Sequence, residues 1–142
     1  MKIGIGSDHA GYHLKAILKD YLEKKGNDII DYGTNSEEST DYPDYVHPLA
    51  NAIEKGEFNF GIVICGSANG VSMSANKHAG IRAALSWLPE IAKLGREHND
   101  ANVLAIPARY VSEEEAKKIV DAFFSTEFEG GRHQNRVEKI SC

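Results

Sequence analysis

The stretch Phe60-Gly61-Ile62-Val63-Ile64-Cys65, followed at once by Gly66-Ser67-Ala68-Asn69-Gly70, decides the fold. A continuous apolar core of Ile62, Val63 and Ile64 suits a strand covered on both faces, the habit of a parallel sheet. The small-residue run behind it reads as a turn leading into a helix, predicted to continue through Lys77.

Working outward, the same strand-then-helix rhythm recurs on both sides. Lys2 to Gly6 is a predicted strand, and Tyr12, Leu14, Ile17, Leu18, Tyr21 and Leu22 return at helical spacing until Gly26 ends the helix. A second strand is expected near Asp28 to Tyr32. A helix is expected from Pro43 to Lys55, with Pro43 suited to its first turn and Pro48 a candidate kink. Downstream, Ile81 to Leu85 and Val103 to Ile106 read as strands, and Pro89 to His98 reads as a helix. Ser112 with Glu115 has the form of a capping box, opening a helix that ends near Ser125. A last helix, about Gly131 to Ile140, carries Arg132 and Arg136 on one face.

This alternation predicts one α/β domain over residues 1–142: a three-layer α/β/α, Rossmann-like arrangement with a five-stranded parallel sheet. The strand order is left open by the sequence. The chain has no internal repeat, linker or low-complexity tract.

Composition agrees with a single domain. The chain has 142 residues, 42% apolar and 26% charged, enough for one buried core. A net charge of −5 sets the molecule against nucleic acid and anionic membranes. The N-terminus reaches polar Ser7-Asp8-His9 too soon for a signal peptide, and no apolar run has membrane-spanning length, so a cytoplasmic location is expected. Cys65 and Cys142 give no basis for a disulfide framework and are read as free thiols.

In doubly wound sheets ligands bind beyond the carboxyl ends of the strands. Three groups fall there: Ser7-Asp8-His9-Ala10-Gly11, Cys65-Gly66-Ser67-Ala68-Asn69-Gly70, and Arg109. Amides from Gly66 to Gly70, placed before a helix, can bind a developing oxyanion, and positive potential there favours a thiolate. On its own, Cys65 could be a nucleophile, a metal ligand, a base, or a small apolar residue closing a core strand. The loop is neither a Walker motif nor a dinucleotide fingerprint, so nucleotide binding is not expected.

Asp8, His9 and His13 lie close enough to raise the question of a metal. Their segment crosses from strand to helix, however, and no further pair has ligand spacing where a catalytic zinc takes three protein ligands. No metal is expected, with His13 on a helix surface and His47 and His78 structural or solvated. Arg132 and Arg136, four apart, could grip one phosphate in an otherwise acidic chain, or pair with Glu129 or Glu138 on a solvated face.

Six motifs then fall in order along the chain: Ser7-Asp8-His9-Ala10-Gly11; Thr40-Asp41-Tyr42-Pro43; Cys65-Gly66-Ser67; Ala75-Asn76-Lys77 with Gly80-Ile81-Arg82-Ala83; Arg96-Glu97-His98-Asn99-Asp100-Ala101-Asn102-Val103-Leu104; and Glu129-Gly130-Gly131-Arg132-His133-Gln134-Asn135-Arg136-Val137. On these the chain resembles type B ribose-5-phosphate isomerase from end to end, a family that also contains allose-6-phosphate isomerases and galactose-6-phosphate isomerase subunits. The resemblance implies interconversion of ribose 5-phosphate and ribulose 5-phosphate by ring opening and proton transfer through an enediolate, with no cofactor; the alternatives are the same chemistry on allose or galactose 6-phosphate and a non-catalytic phosphosugar-binding protein on the same scaffold. It implies Cys65 as the base moving a proton between C1 and C2, with Gly66, Ser67, Ala68, Asn69 and Gly70 as the oxyanion loop. His98, assisted by Asp8 and the Ser67 hydroxyl, corresponds to the group that opens the furanose ring. His9, Arg109, Arg132 and Arg136 match phosphate-holding positions, and Tyr42 and Asn99 match sugar-contacting ones.

The chain departs from the family pattern in places. Ser67 stands where many members have threonine, and Ala68-Asn69 replaces a more glycine-rich pair. Another branch uses a glutamate after Asn-Gly as its base. Here Val71 holds that position, which favours the thiolate.

Cys65 ends the third predicted strand, whereas His98 precedes the fifth, which places them at opposite ends of a parallel sheet. If both act on one substrate, the site is shared between subunits. A homodimer with two composite sites is expected, with a tetramer as the larger alternative.

Overall fold

The computed structural model describes all 142 residues. Its elements follow the predicted order: β1 (Lys2–Ser7), a 3-10 turn (His9–Gly11), α1 (Tyr12–Lys24), β2 (Asp28–Asp31), α2 (Pro43–Glu54), β3 (Phe60–Cys65), α3 (Asn69–Ala75), β4 (Ala83–Leu85), α4 (Pro89–Asn99), β5 (Val103–Pro107), α5 (Glu113–Phe124) and α6 (Arg132–Glu138). Local chemistry sets several of the boundaries. Pro43 opens α2, which runs on past Pro48 to Glu54. The capping box at α5 forms as expected, with the Glu115 amide donating to Ser112 Oγ at 3.1 Å and the Ser112 amide donating back to Glu115 Oε1 at 3.3 Å.

All strand pairs are parallel, in the order β2-β1-β3-β5-β4. The chain moves outward from β1 to β2, then returns to lay β3 on the other side of β1. That reversal makes the β1–β3 junction a topological switch point, where a crevice opens beyond the strand ends.

The pleat divides the core between two faces. Ile62 and Ile64 pack with Ile3, Ile5, Leu104 and Ile106 against Leu14 and Leu18 of α1 and Ile119 and Phe123 of α5. Val63 and Cys65 face the other way, with Val46, Leu49 and Ile53 of α2 and Val71 of α3. Burying each Ile or Leu contributes roughly 1.5–3 kcal/mol, so the strand whose reading decided the fold also anchors both layers.

Three boundaries differ from the expectation by two residues: α3 ends at Ala75 rather than Lys77, α6 ends at Glu138 rather than Ile140, and β4 starts late. The strand predicted over Ile81 to Leu85 begins only at Ala83. The Arg82 and Ala83 amides are taken by side chains, donating to Asn102 Oδ1 and Asn76 Oδ1 at 2.8 Å each. No helix is long and apolar enough to cross a membrane.

Candidate active site

At the carboxyl end of β1, Asp8 accepts from the Ala10 and Gly11 amides at 2.9 and 3.2 Å and so starts the 3-10 turn that carries His9. The loop after β2 is fastened to this strand end. Asp31 Oδ1 accepts from Lys15 Nζ at 2.6 Å and from the Gly33 amide at 2.8 Å. Ser7 then pairs with that loop through its backbone, its amide donating to the Gly33 carbonyl and its carbonyl accepting from the Thr34 amide, both at 2.8 Å. Farther along the same loop, the Thr40 amide donates to His9 Nδ1 at 3.2 Å. With Nδ1 occupied as an acceptor, neutral His9 carries its proton on Nε2, where it can be donated to an anion.

Cys65 ends β3, buried at 5% exposure, and the next residues turn tightly into α3. Ala68 adopts a left-handed conformation at φ +65°, and the Asn69 amide and side chain both donate to Ser67 Oγ, at 3.4 and 3.2 Å. The amides of Gly66, Ser67, Ala68 and Gly70 donate to no group of the protein. Such unsatisfied donors at a helix start are what a developing oxyanion requires.

Neighbouring segments close around this loop. The Ala108 and Arg109 amides donate to the carbonyls of Cys65 and Gly66 at 2.9 and 3.1 Å, tying the end of β5 to the loop. A Cβ at Gly66 would meet the Arg109 guanidinium at 3.0–3.2 Å, so the glycine lets that side chain lie across the backbone. Gly70 serves Tyr42 in the same way, because a methyl group there would collide with the phenol ring. The result is a cavity of about 310 Å³ lined by Asp8, His9, Tyr42, Cys65, Ser67 and Arg109, with Ala10, Gly66, Gly70 and Tyr110 completing it. The size suits a small phosphorylated metabolite.

Eight of the residues expected from the sequence therefore line one cavity. Ala68 and Asn69 belong to the loop without lining the cavity: Ala68 is fully buried, and Asn69 braces Ser67. His13 is solvated and 3.5 Å from Glu113. His47 and His78 are joined at 2.7 Å, and His78 Nδ1 lies 2.7 Å from Glu54 Oε1, which ties α2 to the segment after α3.

The other four expected residues form a second group. His98 and Asn99 end α4, and Arg132 and Arg136 stand exposed on α6. Cys65 is in register with Pro107 at the carboxyl end of β5, while His98 comes before its first residue, Val103. At ~3.3 Å per residue, β5 alone separates the two ends by about 13 Å. Asp8 belongs to the cavity, so in a single chain it does not accompany His98.

Around His98 the structure adds two residues that the sequence did not place there: Glu129, read only as a pairing partner of Arg132 and Arg136, and His133, given no role in the sixth motif. The His133 ring stacks on that of His98, with centroids 4.2 Å apart and planes at 14°. Glu129 Oε2 stands 3.8 Å from His98 Nε2. Burial, followed by the positive charges of His98 and Arg132, holds the His133 imidazole below the ordinary histidine value. The Glu129-x-x-x-His133 spacing was the available signal, hidden by two intervening glycines with positive φ.

The chain is similar to known proteins over nearly its whole length. The sequence profile described as Ribose/Galactose Isomerase matches residues 3–140. The chain is 50% identical over 141 residues to the protein named ribose-5-phosphate isomerase B of Escherichia coli (strain K12), covering 99% of this chain and 95% of that one. The structure of ribose-5-phosphate isomerase B from Clostridium thermocellum superposes with a TM-score of 0.97 at 52% identity, covering 99% of this chain and 95% of that one. The crystal structure of ribose-5-phosphate isomerase B from Mycoplasma genitalium with bound ribulose-5-phosphate gives 0.94 at 43% identity, covering 98% and 93%.

Proposed function

The chain belongs to the ribose/galactose isomerase family, and from that premise we propose that it interconverts ribose 5-phosphate and ribulose 5-phosphate through an enediolate. The observation that carries the reading is the placement of Cys65. Its sulfur shares one cavity with His9 and Arg109, beside four amides that have no partner in the protein.

Each half of the cavity has a task. His9, through Nε2–H, and the Arg109 guanidinium hold the phosphate, which fixes the sugar relative to the loop. The Cys65 thiolate takes the proton from C2 of the open-chain aldose, and the electron pair moves to the carbonyl oxygen on C1. The free amides of Gly66, Ser67, Ala68 and Gly70 stabilise the negative oxygen of the enediolate. Cys65 returns the proton to C1, and transfer of the O2 proton to O1 completes the ketose. Tyr42, held by its contact with Gly70, forms the wall beside the sugar.

Ring opening precedes this and needs an acid at the ring oxygen. His98 is suited to it but stands at the other end of the sheet within its own chain. The working unit is therefore a homodimer in which His98 of the partner subunit completes the cavity. The partner's Asn99, the partner's Arg132 and the partner's Arg136 enter from the same side and add the second phosphate clamp.

The substrate assignment is tested by turnover of ribose 5-phosphate, allose 6-phosphate and galactose 6-phosphate side by side. Preference for the pentose by at least tenfold in kcat/KM is expected. Equal or better turnover of a hexose phosphate would reassign the substrate without changing the chemistry.

A further inference from the structure

We propose that His98, Glu129 and His133 bind a divalent transition-metal ion of the zinc type, and that occupation of this site withdraws His98 from ring opening and inhibits the isomerase. The inhibitory half rests on the ring-opening role assigned to His98 above; the binding half does not.

The three residues come from α4, from the turn before α6 and from α6 itself, and each offers a ligand atom within 4.8 Å of the others. Two imidazoles and one carboxylate form a donor set that zinc accepts, with a fourth position left to water. His133 is 5% exposed, and its buried Nε2 has no hydrogen-bond partner. An orphaned buried nitrogen is costly, and its lone pair or proton calls for a partner that the protein does not provide.

The backbone around the cluster is held in place. The Glu129 amide donates to the Glu97 carbonyl of α4 and the His133 amide to the Gly130 carbonyl, each at 3.0 Å. Gly130 and Gly131, at φ +69° and +54°, fold the chain so that Glu129 and His133 both return to His98.

The stacked rings must tilt before two nitrogens can share one ion. Metal bonds of ~2.0–2.1 Å put tetrahedral donor atoms about 3.3 Å apart. Closing from the present spacing takes rotation of the His98 and Glu129 side chains, which are 37% and 60% exposed, and so costs the His98–His133 stack. His133 stays fixed as the buried anchor.

The surroundings select the kind of ion. Arg132 and Arg136 flank the cluster and oppose a weakly held dication. An ion that bonds strongly to imidazole overcomes them, whereas Mg2+ and Ca2+, which need several oxygen ligands, do not.

The test uses the full-length chain with Cys65→Ser and Cys142→Ser, so that thiols do not compete for metal. Titration with Zn2+ by calorimetry is expected to show one ion per chain, and Co2+ to give a tetrahedral absorption band. Both should be lost in the further variant Glu129→Gln, whose exposed site keeps the fold intact. In the chain with its thiols, Zn2+ inhibits turnover and Mg2+ does not. Measured against its own metal-free turnover, Glu129→Gln raises the inhibitory Zn2+ concentration at least tenfold. Equal Zn2+ binding with and without Glu129, or none in either, overturns the site. Stoichiometric binding that requires Glu129 but leaves turnover intact overturns the inhibition, whereas full turnover by metal-free His98→Ala is the separate result that removes His98 from ring opening.

Discussion

Cys65 and His98 stand at opposite ends of the sheet: Cys65 is in register with Pro107, the last residue of β5, while His98 lies at the end of the helix that leads into that strand. A chemistry that needs both on one substrate takes them from two chains. Cys65→Ala and His98→Ala proteins are each expected to be inactive as homodimers. Mixing them after subunit exchange restores activity, up to one intact site in each mixed dimer. Absence of any recovery, with exchange verified by mass, would refute shared sites.

A second prediction concerns how His98 is aimed. Arg82 donates through Nε to the Asn99 and Asp100 carbonyls at 3.1 and 3.0 Å, and through Nη2 to the Asp100 carboxylate at 3.2 Å. Arg96 takes the other carboxylate oxygen at 2.9 Å. Arg82 thus caps the carbonyl end of α4 immediately behind His98. Arg82→Ala should lower kcat roughly 10- to 100-fold by misplacing His98, with a smaller change in KM because His9 and Arg109 are untouched. Arg82→Lys should not rescue it, since an ammonium lacks the planar fork that reaches three acceptors. A fall in melting temperature with kcat unchanged would reduce the clamp to a structural role.

At Gly70 a single methyl group collides with the Tyr42 ring. Gly70→Ala is expected to displace Tyr42 and raise KM for the sugar phosphate several-fold, at a stability cost of about 1–3 kcal/mol. In Gly70→Ala/Tyr42→Ala the stability loss should shrink while KM stays high. Steady-state kinetics and thermal melts read the two effects separately.

The pair between Glu54 and His78 makes stability depend on pH. The Gly80 amide, then the His78 side chain, hold the Glu54 carboxyl below its ordinary value of 4.5. A depressed carboxyl contributes stability above its unfolded value and loses it as the pH falls through the folded one. Glu54→Gln should therefore lower the melting temperature at neutral pH, and the difference should shrink as the pH falls below the ordinary carboxyl value of 4.5. A constant difference down to about pH 3 would show that the carboxylate charge is not responsible.

Much of this was legible in the sequence for definite reasons. Ile62-Val63-Ile64 announced a doubly covered strand, and the carboxyl-end rule pointed to Asp8, Cys65 and Arg109, which line one cavity. The start of α5 was readable because Ser112 and Glu115 satisfy each other locally. The strand order was not, because the placement of β5 between β3 and β4 is decided by packing across the sheet rather than by any local pattern. The late start of β4 depends on Asn76 and Asn102, whose side-chain oxygens take two amides from distant points in the chain. Glu129 and His133 were missed beside His98 because two left-handed glycines, not a helix, return the chain to α4.

The most direct test of the central claim is deuterium uptake from D2O into the C1 and C2 positions of ribose 5-phosphate and ribulose 5-phosphate. The wild-type chain should exchange the transferred hydrogen at a rate comparable with turnover. Cys65→Ala should still bind the sugar phosphate but exchange at least ~10²-fold more slowly. Exchange by Cys65→Ala within a few-fold of wild type would show that another group removes the proton.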